Sequence, residues 1–215
     1  MADHSPTVVG NRVYDADKIG RLAAYDTTGI TANRAPVWTL TELDGLYYPD
    51  APVESGGTLY LRDSGANLDA VRASDGVRLW HVAGGPAQFL RNELLVVGTK
   101  VLYLDSSYDL AARNTSDGSV AWGGTTVTLG SSEIVSSMQI ATDGTRAFVL
   151  SNCEVHAITI ATGAEAWPTV PVLAGGTTNC GLGWKAMPMV ADGAVFATTY
   201  DGSIAIEAAT GAVRW

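Results

Sequence analysis

The sequence predicts an all-β fold, a β-propeller assembled from five four-stranded antiparallel repeat units within 215 residues. Three observations carry that prediction. Trp38, Trp80, Trp122, Trp167 and Trp215 recur at intervals of 42, 42, 45 and 48 residues, a spacing that suits a four-stranded repeat. In the last four copies a glycine stands four positions ahead of the tryptophan: Gly76, Gly118, Gly163 and Gly211. Between these marks lie short apolar runs broken by glycine turns, and no stretch reads as a convincing long helix. A single meander cannot cover both of its faces, whereas radial stacking buries each against a neighbour.

The elements follow in the same order in every unit. An apolar run opens it (7–9, 94–97, 187–190), and a turn such as Gly10-Asn11, Gly56-Gly57, Asp143-Gly144 or Asp192-Gly193 breaks the run. Asp-Gly and Gly-Asn pairs suit the positive φ of tight hairpins. A second run follows (13–14, 59–61, 101–104, 147–150, 194–197), then a polar turn, an alanine-centred third run, a glycine-bearing turn and the tryptophan-bearing fourth strand. The units are placed at 6–38, 47–80, 89–122, 134–167 and 185–215, and 1–215 is read as one domain. The first copy, Ala24 through Gly29 to Trp38, has a shortened turn and an insertion before its tryptophan. Five blades fall within the range that closes a propeller. Because the fifth outer strand is cut short at Trp215, a piece of a seven- or eight-bladed ring is the alternative, and an incomplete ring would self-associate.

Composition narrows the function. Apolar residues make up 47 % and charged residues 16 %, which argues against extended disorder. The net charge is −9 without a basic block, so neither a nucleic acid nor an anionic membrane is expected as the main partner. No apolar run is long enough for a transmembrane helix. The start, Met1 to Pro6, has neither the basic nor the apolar stretch of a signal peptide, so the chain is either cytosolic or lacks its leader. Three lysines beside abundant Ala, Gly and Arg hint at a GC-rich genome.

The segments from Ala70 to Trp80, Ala112 to Trp122, Ala157 to Trp167 and Ala205 to Trp215 share an alanine, then a Thr-Gly or Asp-Gly pair, then the tryptophan. This pattern resembles the tryptophan-docking motif of quinoprotein-type, PQQ-like propeller repeats, as in bacterial quinoprotein dehydrogenases and BamB-like outer-membrane assembly lipoproteins. The resemblance covers essentially the whole chain. It implies structural docking roles for Gly29, Trp38, Gly76, Trp80, Gly118, Trp122, Gly163, Trp167, Gly211 and Trp215. It also implies a bacterial, extracytoplasmic protein. Active dehydrogenases of this type combine a vicinal cysteine pair, a calcium or lanthanide held by acidic and amide side chains, and a catalytic aspartate. Cys153 and Cys180 are the only cysteines here, and no residue aligns to that metal site, so no PQQ, metal or other cofactor is expected.

The remaining chemistry is sparse. Cys153 lies in the turn after a second strand and Cys180 in a connection between units, loops that open on one face of a propeller. A disulfide between them is therefore expected, with an oxidising compartment; two reduced thiols are the alternative. His4, His81 and His156 occupy unrelated positions and read as solvated or packed imidazoles rather than a metal set. Residues 15–20, Asp-Ala-Asp-Lys-Ile-Gly, lack a complete calcium loop and read as a hairpin turn. No nucleophile-elbow, zincin or phosphate-loop spacing occurs. Loops on the face shared by the cysteines are the candidate binding surface. They carry Asp15, Asp17, Arg62, Asp63, Asp105 and Tyr108 in short turns, and Tyr47, Tyr48, Asp50, Trp184 and Lys185 between units. Trp184, in Gly-Leu-Gly-Trp, is the one tryptophan outside the periodic series. Aromatic and charged side chains at a funnel mouth suit a protein, a peptide or a small ligand, while ordinary solvated turns account for any one of them. The reading is a non-catalytic binding, scaffold or sensor module. The alternative is a glycosidase-like enzyme with carboxylates in the central funnel, Asp63 and Asp105 foremost.

Overall fold

The computed structural model describes residues 6–17, 19–29, 35–43, 51–62, 67–84, 94–105, 107, 109–129, 140–151, 154–172, 188–198 and 202–215. They form five antiparallel sheets, each an up-and-down meander in chain order. The first contains β1 (Thr7–Val9), β2 (Arg12–Ala16), β3 (Leu22–Asp26) and β4 (Trp38–Leu40). The second contains β5 (Val53–Ser55), β6 (Thr58–Arg62), β7 (Leu68–Arg72) and β8 (Arg78–Val82). The third has three strands, β9 (Leu95–Val97), β10 (Lys100–Leu104) and β11 (Leu110–Asn114). The fourth has β12 (Ile140–Thr142), β13 (Arg146–Ser151), β14 (Glu154–Thr159) and β15 (Glu165–Pro171), and the fifth β16 (Met189–Ala191), β17 (Ala194–Thr198) and β18 (Ser203–Glu207). The chain divides into two compact units, Met1–Phe89 with Thr115–Ser119, and Leu90–Asn114 with Val120–Trp215.

The repeat is a repeat of register. Ala24 pairs with Trp38, Ala70 with Trp80 and Ala157 with Trp167. On the same sheet face an aromatic of the second strand meets the indole: Tyr14 and Trp38 at 6.0 Å between ring centroids, Tyr60 and Trp80 at 5.9 Å, Phe148 and Trp167 at 6.2 Å. An alanine between them keeps the third strand low enough for two large rings to touch across it.

Each of the first four indoles then lies on the turn of the following repeat. Trp38 Nε1 donates to Ala73 O at 3.0 Å, Trp80 Nε1 to Thr115 O at 2.9 Å, Trp122 Nε1 to Ile160 O at 2.9 Å and Trp167 Nε1 to Ala208 O at 3.1 Å. Three residues beyond each acceptor stands a glycine with positive φ: Gly76, Gly118, Gly163 and Gly211. A β-carbon on any of the four would fall within 2.8 Å of its indole. Glycine is needed there twice over, for its backbone angle and for the missing β-carbon. Gly29 also has a positive φ, 62°.

Apolar clusters fill the space between these sheets. In the first unit Tyr14, Leu22, Ala24, Leu59, Leu61 and Val71 share one core. In the second unit Leu102, Leu104 and Leu110 pack on Ala147, Val149 and Ile158, and Phe148, Leu150 and Val155 on Val195, Ile204 and Ile206. The central strand β7 is buried on both faces, from Leu68 to Val71.

Two of the expected tryptophan-bearing strands are absent as strands. Trp122 sits in a 3-10 turn (Trp122–Gly124) with φ of 55°, and only isolated bridges, Arg113 to Val120 and Leu110 to Val127, follow β11. Gly123 and Gly124 adopt positive φ there, which breaks an extended run as soon as it begins. In the fifth sheet a single bridge, Ile206 to Val213, holds the outer segment. Trp215 nevertheless keeps the common register, since Ala205 N donates to Trp215 O at 3.0 Å and Arg214 N to Ala205 O at 2.7 Å.

Candidate functional site

The loops after β2 and β10 are built around carboxylates. Asp17 Oδ1 accepts the N–H groups of Ile19 and Arg21, both at 3.1 Å, and Arg21 Nε donates to Asp17 Oδ2 at 2.8 Å. Asp17 N in turn donates to Arg21 O at 2.8 Å. The third sheet repeats the device. Asp105 Oδ1 accepts Ser107 N at 2.8 Å and Asp109 N at 3.0 Å, and Asp105 N donates to Asp109 O at 2.9 Å. Such side-chain-to-backbone bonds hold a short turn in one shape. Asp17, Ile19 and Gly20 thus belong to a hairpin turn; Asp15 itself lies within β2, opposite Ala23.

Asp109, which the sequence reading passed over, shares the second loop with Asp105. Burial, and then the Asp105 carboxylate, raise the Asp109 carboxyl above its ordinary range, with Thr126 and the Leu129 N–H acting the other way. Thr126 Oγ1 donates to Asp109 Oδ2 at 3.4 Å. This loop therefore presents two unlike carboxylates, one committed to backbone N–H groups and one more readily protonated.

Arg62 ends β6 and is half-buried. Tyr47, Tyr48, Asp50, Asp63, Tyr108, Trp184 and Lys185 lie outside the described residues, as do Cys153, Cys180 and His4. Among the described residues no group of three or more His, Cys, Asp or Glu side chains is arranged to hold a metal ion.

A second polar cluster escaped the sequence reading. Asp69, in the middle of β7, is fully buried. Its Oδ1 lies 3.0 Å from His81 Nδ1 and 3.1 Å from Arg78 Nε, both on β8. Arg78 Nη2 reaches across to Glu42 O at 2.6 Å, beyond the end of β4. The carboxylate thereby gathers two basic side chains, one of which ties the second sheet to the first. His156 occupies on β14 the position that Asp69 holds on β7, since each precedes the alanine that pairs with tryptophan. Burial lowers its pKa, with Glu165 opposing, and its Nε2 has no hydrogen-bond partner. It is a packed, neutral imidazole.

Residues 2–139 and 125–215 match the family model described as outer membrane protein assembly factor BamB. The chain belongs to this family. No curated protein matches it in sequence. The crystal structure of BamB from Moraxella catarrhalis aligns with a TM-score of 0.74 at 19 % identity, over 100 % of this chain and 63 % of that one. The computationally designed Ika8 protein aligns at 0.71 and 12 % identity, over 98 % of this chain and 59 % of that one. A europium-containing methanol dehydrogenase aligns at 0.67 and 14 % identity, over 98 % and 50 %. At such identities the likeness establishes the fold, a BamB-type propeller of antiparallel sheets. The chain spans less than two thirds of the BamB chain it matches.

Proposed function

We propose that this chain is a non-catalytic scaffold module that binds a protein partner outside the cytoplasm through the loops following its second strands and through the connections between its repeat units. The single observation that carries the reading is the match to the BamB family model across 2–139 and 125–215. Because those matches overlap, 1–215 is taken as one domain. The sheets supply rigid supports, and the Asp17 and Asp105 carboxylates stiffen the loops; preformed loops spend less ordering entropy on binding. Arg62, Asp63, Asp105 and Tyr108 on the short loops, and Tyr47, Tyr48, Asp50, Trp184 and Lys185 on the connections, are the contact residues of this reading. Aromatic and arginine side chains are the usual anchors of such surfaces. The function uses no cofactor, and a Cys153–Cys180 disulfide fixes the loop that carries Trp184.

The test is titration of the purified chain with outer-membrane assembly proteins of its own organism by calorimetry. Saturable binding that falls about thirtyfold or more in Trp184→Ala or Tyr48→Ala supports the reading. Absence of binding to every one of them, together with turnover of a glycoside or of an alcohol with added quinone, overturns it. Intact mass before and after alkylation reads the disulfide directly.

A further inference from the structure

We propose that a buried polar site between the third and fourth sheets binds one internal water molecule, which bridges the Ser151 hydroxyl and the His156 imidazole. The register of the fourth sheet brings these two side chains together. Val149 stands opposite His156, and Ser151 opposite Glu154. Ser151 and His156 are therefore diagonal neighbours on one sheet face, with β-carbons within roughly 8 Å of each other. By the alternation of a strand that face also carries Ala147, Val149 and Ile158, which pack on Leu102, Leu104 and Leu110 of the third sheet. Ser151 is fully buried and His156 is 6 % exposed. Neither Ser151 Oγ nor His156 Nε2 has a hydrogen-bond partner among the described residues.

The second sheet shows how the chain satisfies the same position elsewhere. Asp69, the counterpart of His156, takes both of its partners from the outer strand: Arg78 and His81, the residue after Trp80. In the fourth sheet the residue after Trp167 is Pro168, whose side chain has no polar atom. Glu165 stands opposite Ile158 as Arg78 stands opposite Val71, but it is exposed and makes no ion pair with His156. Neither of the two outer-strand positions that serve Asp69 thus serves His156. Buried polar groups are satisfied by the chain or by ordered water, and leaving them unpaired is costly. The hydroxyl can give or take a hydrogen bond, and a neutral imidazole nitrogen does one or the other according to its tautomer. The guest must therefore be small, neutral and able to do both, which describes water; two polar partners are enough to hold one. A single confined water does not supply the hydration that an imidazolium needs, so the ring stays neutral. The site is independent of the partner surface proposed above.

Oxygen-17 magnetic relaxation dispersion on the 215-residue chain, which counts long-lived internal waters, tests the proposal. Ser151→Val and His156→Leu each remove one end of the bridge. Each variant is expected to lose the dispersion amplitude of one water. The double variant should lose no more than either alone, because both ends hold the same molecule. An amplitude equal to the parent's in either single variant, or losses that add in the double variant, overturns the proposal. Should a variant fail to fold, Overhauser spectra of the parent decide alone. Cross-peaks to one long-lived water are expected from the His156 ring protons and from the methyls of Val149, which shares their sheet face. Their absence overturns the proposal.

Discussion

Gly163 lies beneath Trp122 so closely that a β-carbon on the glycine would stand 2.5 Å from Trp122 Cδ2. Gly98, in the same unit, has a similar positive φ of 56° but open space around it. Replacing either with alanine incurs the left-handed backbone penalty, about 1 kcal/mol. Only Gly163→Ala also forces an indole out of place, and overpacking of this kind costs roughly 1–3 kcal/mol more. Urea midpoints at equal m-value should separate the two variants by that margin. Equal losses would show that the indole does not need the bare glycine.

Trp167 gives the complementary measurement from the other side of the contact. It is 6 % exposed, and its Nε1 donates to Ala208 O. Trp167→Ala is expected to cost about 3–5 kcal/mol. Trp167→Phe keeps much of the ring but leaves a carbonyl unpaired, at roughly 1–3 kcal/mol. Trp215→Ala, on an exposed ring, should stay within about 0.5 kcal/mol. Thermal unfolding of the three variants orders them. A Trp215→Ala variant as damaged as Trp167→Ala would mean that the ring is covered in solution.

The sheets were legible because their packing is written once per repeat. Alanine, glycine and tryptophan hold fixed offsets, and each residue type has one steric reason to be there. The outer segment of the third sheet was misjudged although its cause was visible: Gly123-Gly124 directly after Trp122 cannot sustain a strand. Asp69 was missed for a different reason. Leu68-Asp69-Ala70 reads as an alternating strand with its carboxylate turned to water, but β7 is covered on both faces and has no outward side. Asp17 and Asp105 were found as loop residues, while their bonds to backbone N–H groups follow from turn geometry that composition does not reveal. Asp109 became noticeable only when the loop brought it beside Asp105. The connections bearing Tyr47, Tyr48, Trp184 and Lys185 repeat nothing from unit to unit, so periodicity could nominate them but not give them a common shape.

Asp69 should behave as the hub of its cluster. Truncation to Asp69→Ala leaves Arg78 and His81 beside an apolar gap, and breaking a buried ion pair from one side costs about 3–5 kcal/mol. Arg78 is still partly exposed, with a side-chain accessibility of 24 %, so Arg78→Ala should cost less. A double-mutant cycle on the pair should give a coupling energy of roughly 1–3 kcal/mol. Strict additivity would indicate that solvent replaces the partner, and that Arg78 contributes through its bond to Glu42 O instead.

His156 sets an acid limit on the second unit. Burial holds its folded pKa below the ordinary 6.5, and Glu165 only partly offsets this. The unfolded chain therefore binds a proton more readily than the folded one. Stability from this group is complete above pH 6.5 and is lost as the pH falls below it towards the folded pKa. The slope can approach, but not exceed, about 1.4 kcal/mol per pH unit for one proton. His156→Leu fills the site without a titrating group and should flatten this part of the curve. Asp109 acts in the opposite sense, because its raised folded pKa makes the folded chain gain relative stability as acid is added. The difference between parent and His156→Leu cancels that contribution. Denaturant unfolding of both proteins from pH 7.5 to 5 should show curves that diverge below pH 6.5 and run parallel above it. Parallel curves throughout would mean that the imidazole is hydrated in the folded protein.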